Sequence, residues 1–131
     1  MRVFILEDLP DRIGAYFIKF MKHDVVVANN VKDALNCLKN NTFDLVVLDH
    51  DLDGRAFVPI TNPNCGSIVA EYLADTNYQG KVVIGSLNPT GAQNMKRLLP
   101  QAIVAPGYWM KDIKLVGNLQ VNDSFAYDSI E

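Results

Sequence analysis

Cysteine and surplus positive charge are both scarce in this chain. The two cysteines among 131 residues, Cys37 and Cys65, stand far apart and belong to no CxxC or Cys/His spacing. That argues against a structural zinc site and fits a reduced, cytoplasmic chain. Twelve Lys and Arg against fifteen Asp and Glu leave a net charge of −3. Non-specific nucleic-acid binding and attraction to anionic lipid are therefore not expected, and any nucleotide has to be gripped locally. Long apolar runs are missing too: the opening Val3-Phe4-Ile5-Leu6 is far shorter than the core of a signal peptide, and nothing approaches a membrane-spanning length. Neither export nor a membrane role is expected. No excess of Gly, Pro or Ser, no repeat and no low-complexity tract points to disorder. What is present, 49% hydrophobic and 21% charged residues, is the composition of one globular domain, and the length is too short for two. We place that domain at residues 1–117, with the polar residues 118–131 as a loosely held tail.

Apolar runs alternate with helical patterns along the chain. Val3-Phe4-Ile5-Leu6, Val25-Val26-Val27-Ala28, Leu45-Val46-Val47-Leu48, Val82-Val83-Ile84 and Ala102-Ile103-Val104-Ala105 suit strands covered on both faces. Between them Ile13, Phe17, Phe20 and Met21, then Ala34, Leu35 and Leu38, then Ile68, Val69, Tyr72 and Leu73, then Met95, Leu98 and Leu99 recur at helical spacing. Pro10 suits a first helical turn, and Asn30 suits an N-cap. Residues 55–64, with Pro59 and Pro63, read as a long loop, and residues 108–119 carry enough apolar side chains for a last helix. This alternation predicts an α/β fold of flavodoxin-like, receiver type: a doubly wound, five-stranded parallel sheet in the order 2-1-3-4-5, sandwiched between two helical layers. In such a sheet ligands bind where strand order reverses, beyond the carboxyl ends of strands 1 and 3.

The acidic residues fall at that place. Glu7 and Asp8 follow strand 1, and Asp49, His50 and Asp51 follow strand 3. Carboxylates on adjacent strand ends repel one another unless a cation or a shared proton relieves them. Hard oxygen ligands of this kind suit Mg²⁺, or Mn²⁺ in its place, held by Asp8 and Asp49 with Glu7 or Asp51 assisting. The plainer reading is that each aspartate caps a helix. After strand 4, Ser86-Leu87-Asn88-Pro89-Thr90-Gly91 leads into a helix whose N-terminus favours a phosphate; its plainer reading is an N-cap by Asn88. His50, between two carboxylates expected to raise its pKa, is a candidate general acid or base, or it turns into the sheet. His23 reads as surface, Cys37 as a small buried hydrophobe, and Cys65 lacks a nearby base. Tyr108-Trp109 reads as core closure or as a pocket rim.

The acidic pair Glu7-Asp8, Asp49 ending strand 3 and Ser86 ending strand 4 resemble the receiver domain of response regulators. That likeness implies Asp49 as phosphoacceptor, Glu7 and Asp8 as the Mg²⁺ pocket and Ser86 as the switch hydroxyl. Receivers also carry a Lys at the end of strand 5, where this chain reads Val104-Ala105-Pro106-Gly107, and Lys111 lies too far on to replace it. Leu48-Asp49-His50-Asp51-Leu52-Asp53-Gly54, Asn64-Cys65-Gly66 and the turn from Ser86 through Gly91 to Asn94-Met95 resemble a narrower family over about the first hundred residues: the cyclic-phosphate processing receiver domain, found in phage and bacterial proteins. That resemblance implies a metal-dependent phosphoesterase, a hydrolase acting on a cyclic nucleotide or a cyclic-phosphate RNA end. Asp49, His50 and Asp51 would be catalytic, and Ser86, Asn88, Thr90, Gly91 and Asn94 would hold the phosphate. A His often precedes the Ser of this turn in the family, whereas Gly85 stands here, so His50 alone is left to move a proton. The alternatives are a signalling receiver phosphorylated on Asp49 and a module that binds a phosphorylated ligand without cleaving it.

Overall fold

The structure, a computed structural model, describes residues 1–107. Five strands, β1 (Arg2–Leu6), β2 (Asp24–Ala28), β3 (Leu45–Leu48), β4 (Lys81–Ile84) and β5 (Ile103–Val104), alternate with helices α1 (Pro10–Lys19), α2 (Val31–Asn40), α3 (Gly66–Asp75) and α4 (Pro89–Leu98). The strands pair in parallel in the order β2-β1-β3-β4-β5, as the apolar runs predict. The last helix expected over 108–119, Tyr108, Trp109, Lys111, the boundary at 117 and the tail all lie outside the described residues.

Alternation along the strands divides the core into two layers. Phe4, Leu6, Val46, Leu48, Val82 and Ile84 face α2, α3 and α4, packing on Ala34, Val69, Leu73 and Met95. Val3, Ile5, Leu45, Val47 and Val83 face α1 and meet Tyr16 and Phe20. Burying each such side chain contributes roughly 1.5–3 kcal/mol, which is why a ten-residue helix with no side-chain cap, as α1 is, holds its place.

The buried stripe of α1 differs from the expected one. Ala15, Tyr16, Lys19 and Phe20 face inward, while Phe17 and Met21 are 48% and 71% exposed. Both stripes repeat at helical spacing, and only the seat on the sheet chooses between them. Lys19 is tolerated there with its ammonium 5.5 Å from the Phe20 ring centroid, its long stem covering apolar surface. Among the described residues no helix is long and apolar enough to cross a membrane.

Candidate functional site

One further rung beyond each strand sets the level of the site. The N–H of Glu7 donates to Ala28 O at 3.1 Å, that of Asp49 to Leu6 O at 3.1 Å, and that of Gly85 to Leu48 O at 2.9 Å. Glu7, Asp49 and Gly85 thus stand in one row past the sheet. Leu6 and Leu48 point toward α3 and α4, so Glu7 and Asp49 point the other way, toward α1, whose first turn supplies Arg12. Arg12 Nη1 lies 3.9 Å from Glu7 Oε1 and 3.7 Å from Asp49 Oδ2.

Glu7, Asp8 and Asp49 each bring a carboxylate oxygen to within 4.8 Å of the others. Glu7 and Asp49 are buried and Asp8 is half-buried. The N–H groups of Asp8 and Leu9 donate to Glu7 Oε2 at 3.1 and 3.3 Å, and that of Gly54 donates to Asp8 Oδ2. Asp49 Oδ2 is buried with no hydrogen-bond partner. Burial, then the charge of Asp49, pushes the Glu7 carboxyl up to about 8, and burial pushes Asp49 up to about 6. Without a cation, therefore, Glu7 keeps a proton near neutrality. A buried carboxylate oxygen without a hydrogen bond, its charge met only by Arg12 3.7 Å away, beside two further hard oxygen donors is a donor set that a divalent cation such as Mg²⁺ or Mn²⁺ fits. A cleft of about 290 Å³ opens onto the cluster, lined by Asp8, Arg12, Asp49, Asp51 and Arg55. The apolar Leu9, Phe57 and Leu87 line it as well.

His50 takes the opposite direction from Asp49 and is fully buried. Its Nε2 lies 2.9 Å from Ser67 Oγ, and its Nδ1 lies 3.3 Å from Asn88 Nδ2 and 3.5 Å from Asp51 Oδ1. Ser67 Oγ accepts from Asn94 Nδ2 at 2.9 Å. Burial lowers the His50 pKa despite Asp51. The expected upward shift is thus reversed, because desolvation of the imidazolium outweighs a carboxylate 3.5 Å away.

Asp51 is used by the loop. Its carboxylate accepts from the N–H groups of Phe57 at 2.8 Å and Val58 at 2.9 Å and from Asn88 Nδ2 at 2.9 Å. Burial pushes its pKa up, but these bonds and His50 outweigh that and hold it below the ordinary value. Asn88 Oδ1 caps α4 by accepting from Gly91 N–H at 3.0 Å, and Asn88 Nδ2 also donates to Val58 O at 3.0 Å. Ser86 Oγ accepts from Asn88 N–H at 3.0 Å.

The structure therefore brings Glu7, Asp8 and Asp49 together and sets Asp51 on the wall of the same cleft. His50, Ser86, Asn88, Gly91 and Asn94 it gathers instead into an interior network behind that wall, and Thr90 is exposed. The donors of Asn88 and Gly91 expected for a phosphate are engaged within the protein, as in the N-cap reading. Sequence reasoning passed over Arg12, Arg55 and Ser67. For Arg12 a signal existed, since a first helical turn after strand 1 overhangs the carboxyl end of the sheet; Arg55 is placed only by the folded loop, and Ser67 only by the way the first turn of α3 seats.

The model of the cyclic-phosphate processing receiver domain matches residues 1–101. The chain belongs to that family. Among solved structures it is similar to the response regulator TrrA of Thermotoga maritima in complex with Mg²⁺ and BeF, at 16% identity and a TM-score of 0.64, over 90% of this chain and 97% of that one. It is also similar to the Mn²⁺-bound form of response regulator Rcp1, at 15% identity and a TM-score of 0.61, over 91% of each chain. A Francisella response regulator receiver domain matches at 25% identity and a TM-score of 0.56, over 90% of this chain and 94% of that one. These likenesses establish the receiver fold. Comparison with curated proteins gives no significant match. As in the sequence, this receiver-like domain has no Lys directly after β5, where Ala105, Pro106 and Gly107 follow.

Proposed function

We propose that this domain opens a cyclic phosphodiester by hydrolysis, with a divalent cation held by Glu7, Asp8 and Asp49. The observation that carries the reading is Asp49 Oδ2, a buried carboxylate oxygen without a hydrogen-bond partner, in a family associated with cyclic phosphates. A bound cation supplies Lewis-acid polarisation of a phosphoryl group. The chain's own part is to place charge around the reacting phosphorus. Arg12 and Arg55 on the cleft wall favour the negative charge that grows on the phosphoryl oxygens. Water adds across one P–O bond: its oxygen joins phosphorus, the ring oxygen leaves, and the proton lost by the water is matched by one gained by the leaving alkoxide. The cleft is open, so solvent carries that exchange. His50, sealed from the cleft, bears on it through Asp51, whose carboxylate holds the Phe57–Val58 wall in place.

The test is turnover of a panel of 2′,3′-cyclic nucleotides, 3′,5′-cyclic nucleotides and cyclic-ended RNA with Mg²⁺ or Mn²⁺. We expect product with the wild type and a loss of about a hundredfold or more in Asp49→Asn, equivalent to about 2.7 kcal/mol of transition-state stabilisation. Absence of turnover across the panel overturns hydrolysis, and calorimetric binding without product then marks a non-catalytic binder. A second reading, phosphorylation of Asp49, is favoured by the place of Asp49 at the end of β3 beside the acidic pair in a receiver fold. Acetyl phosphate followed by intact mass measurement decides it.

A further inference from the structure

Phe57 lines the acidic cleft, is 76% exposed as a residue and has its backbone at φ 54°, a left-handed conformation that bulky residues rarely adopt. The surrounding bonds impose it. The N–H groups of Phe57 and Val58 both donate to Asp51, Val58 O accepts from Asn88 Nδ2, and Val58 itself is buried. A strained, over-determined backbone that presents an uncovered aromatic ring beside a binding cleft points to use of that ring. Leu87, 51% exposed, and Leu9, 38% exposed, line the same cleft. The lining of the cleft thus combines an acidic cluster, Arg12 and Arg55 with the apolar side chains of Leu9, Leu87 and Phe57.

A ligand that satisfies both kinds of lining carries a phosphate and a flat apolar body a short distance apart. We propose that the ligand is a mononucleotide, its cyclic phosphate on the cation that Glu7, Asp8 and Asp49 would hold and its base stacked on Phe57. This rests on the cyclic-phosphate reading above and adds the residue that receives the base. The cleft, about 290 Å³, lies just under the roughly 300–1,000 Å³ range of ligand pockets and suits nothing larger than a single nucleotide unit. The net charge of −3 gives no general attraction for the backbone of a longer nucleic acid. Stacking is tolerant of base identity, so adenine and uracil compounds should differ little.

Calorimetry in Ca²⁺ with adenosine 2′,3′-cyclic phosphate and with glycerol 1,2-cyclic phosphate, which keeps the phosphate ring and lacks the base, tests the proposal. The wild type should bind the adenosine compound about tenfold or more tightly than the glycerol compound, the worth of one base on one aromatic ring. In Phe57→Gly the ratio should collapse to within roughly threefold. Gly accepts a positive φ, so this variant should melt no lower than the wild type, which separates loss of stacking from loss of fold. Equal affinity of the wild type for the two compounds, or a ratio that survives in Phe57→Gly, overturns the base platform and leaves the cyclic-phosphate reading standing. Failure of the wild type to bind either compound overturns both.

Discussion

Gly66 begins α3 directly against the chain leaving β3. Its N–H donates to His50 O at 2.9 Å, and a Cβ there would stand 2.9 Å from His50 Cα and closer still to the Asp49 carbonyl. Backbone cannot give way as a side-chain tip can, so Gly66→Ala should destabilise the protein by about 1–3 kcal/mol, read from urea unfolding. An unchanged midpoint would remove this account of the glycine. Gly91 is placed similarly, since a Cβ would overlap the His50 ring. At Gly85 the neighbour is the Tyr16 hydroxyl, 2.8 Å from a would-be Cβ, so Tyr16 fills the space beside this position. Gly66, Gly91 and His50 were visible in the motif, but the contact of each glycine with His50 was not, because it joins segments that lie well apart in the chain. Asp49 and His50 show the same limit: adjacent in sequence, they point to opposite sides of the sheet, and only one of them reaches the cleft.

The long loop between β3 and α3 is held less by its own residues than by the helix that comes after the next strand. Asn88 caps α4 through Oδ1 while its Nδ2 ties down Asp51 and Val58 O. Asn88→Ala should therefore do more than remove a cap, whose loss costs about 1 kcal/mol. It also leaves a buried carbonyl unpaired, and the total should reach about 2 kcal/mol or more, with faster proteolytic cleavage in residues 51–58. Melting curves and limited proteolysis together check this; a melting change without new cleavage would mean that the loop is held by Asp51 alone. The capping role was legible from Asn88-Pro89 in sequence, since capping is local. The grip on the loop was not, and neither was the face of α1, because Phe17 and Met21 fit an inward stripe as well as Tyr16 and Phe20 do.

For the whole molecule the acidic cluster makes stability depend on pH and on cations. Glu7 is raised from 4.5 to about 8, so the folded protein keeps a proton that the unfolded chain has already released. Raising the pH through that range favours unfolding. His50 is shifted downward and acts in the opposite sense, but only below about pH 6.5, where the unfolded imidazole takes up its proton. Metal-free protein should thus lose thermal stability from about pH 6.5 to about pH 8.5, and Glu7→Gln should abolish that decline. A flat profile in the wild type would contradict the buried pair. A cation competes with the same protons, so Mg²⁺ or Mn²⁺ should raise the melting temperature more at about pH 8 than at about pH 6. At a concentration of a hundred times Kd the gain is about 2.7 kcal/mol.

Hydrophobic patterning and chain order by themselves settle five parallel strands, their 2-1-3-4-5 order and the gathering of Glu7, Asp8 and Asp49 past the strand ends, because burial on both faces and right-handed crossovers leave little other choice. Folding in three dimensions decides which side chains of the motif meet the cleft. It turns Asp49 toward Arg12, seals His50 behind Asp51 and leaves Phe57 in the open, since these outcomes depend on how helices seat on the sheet and how a loop closes over them.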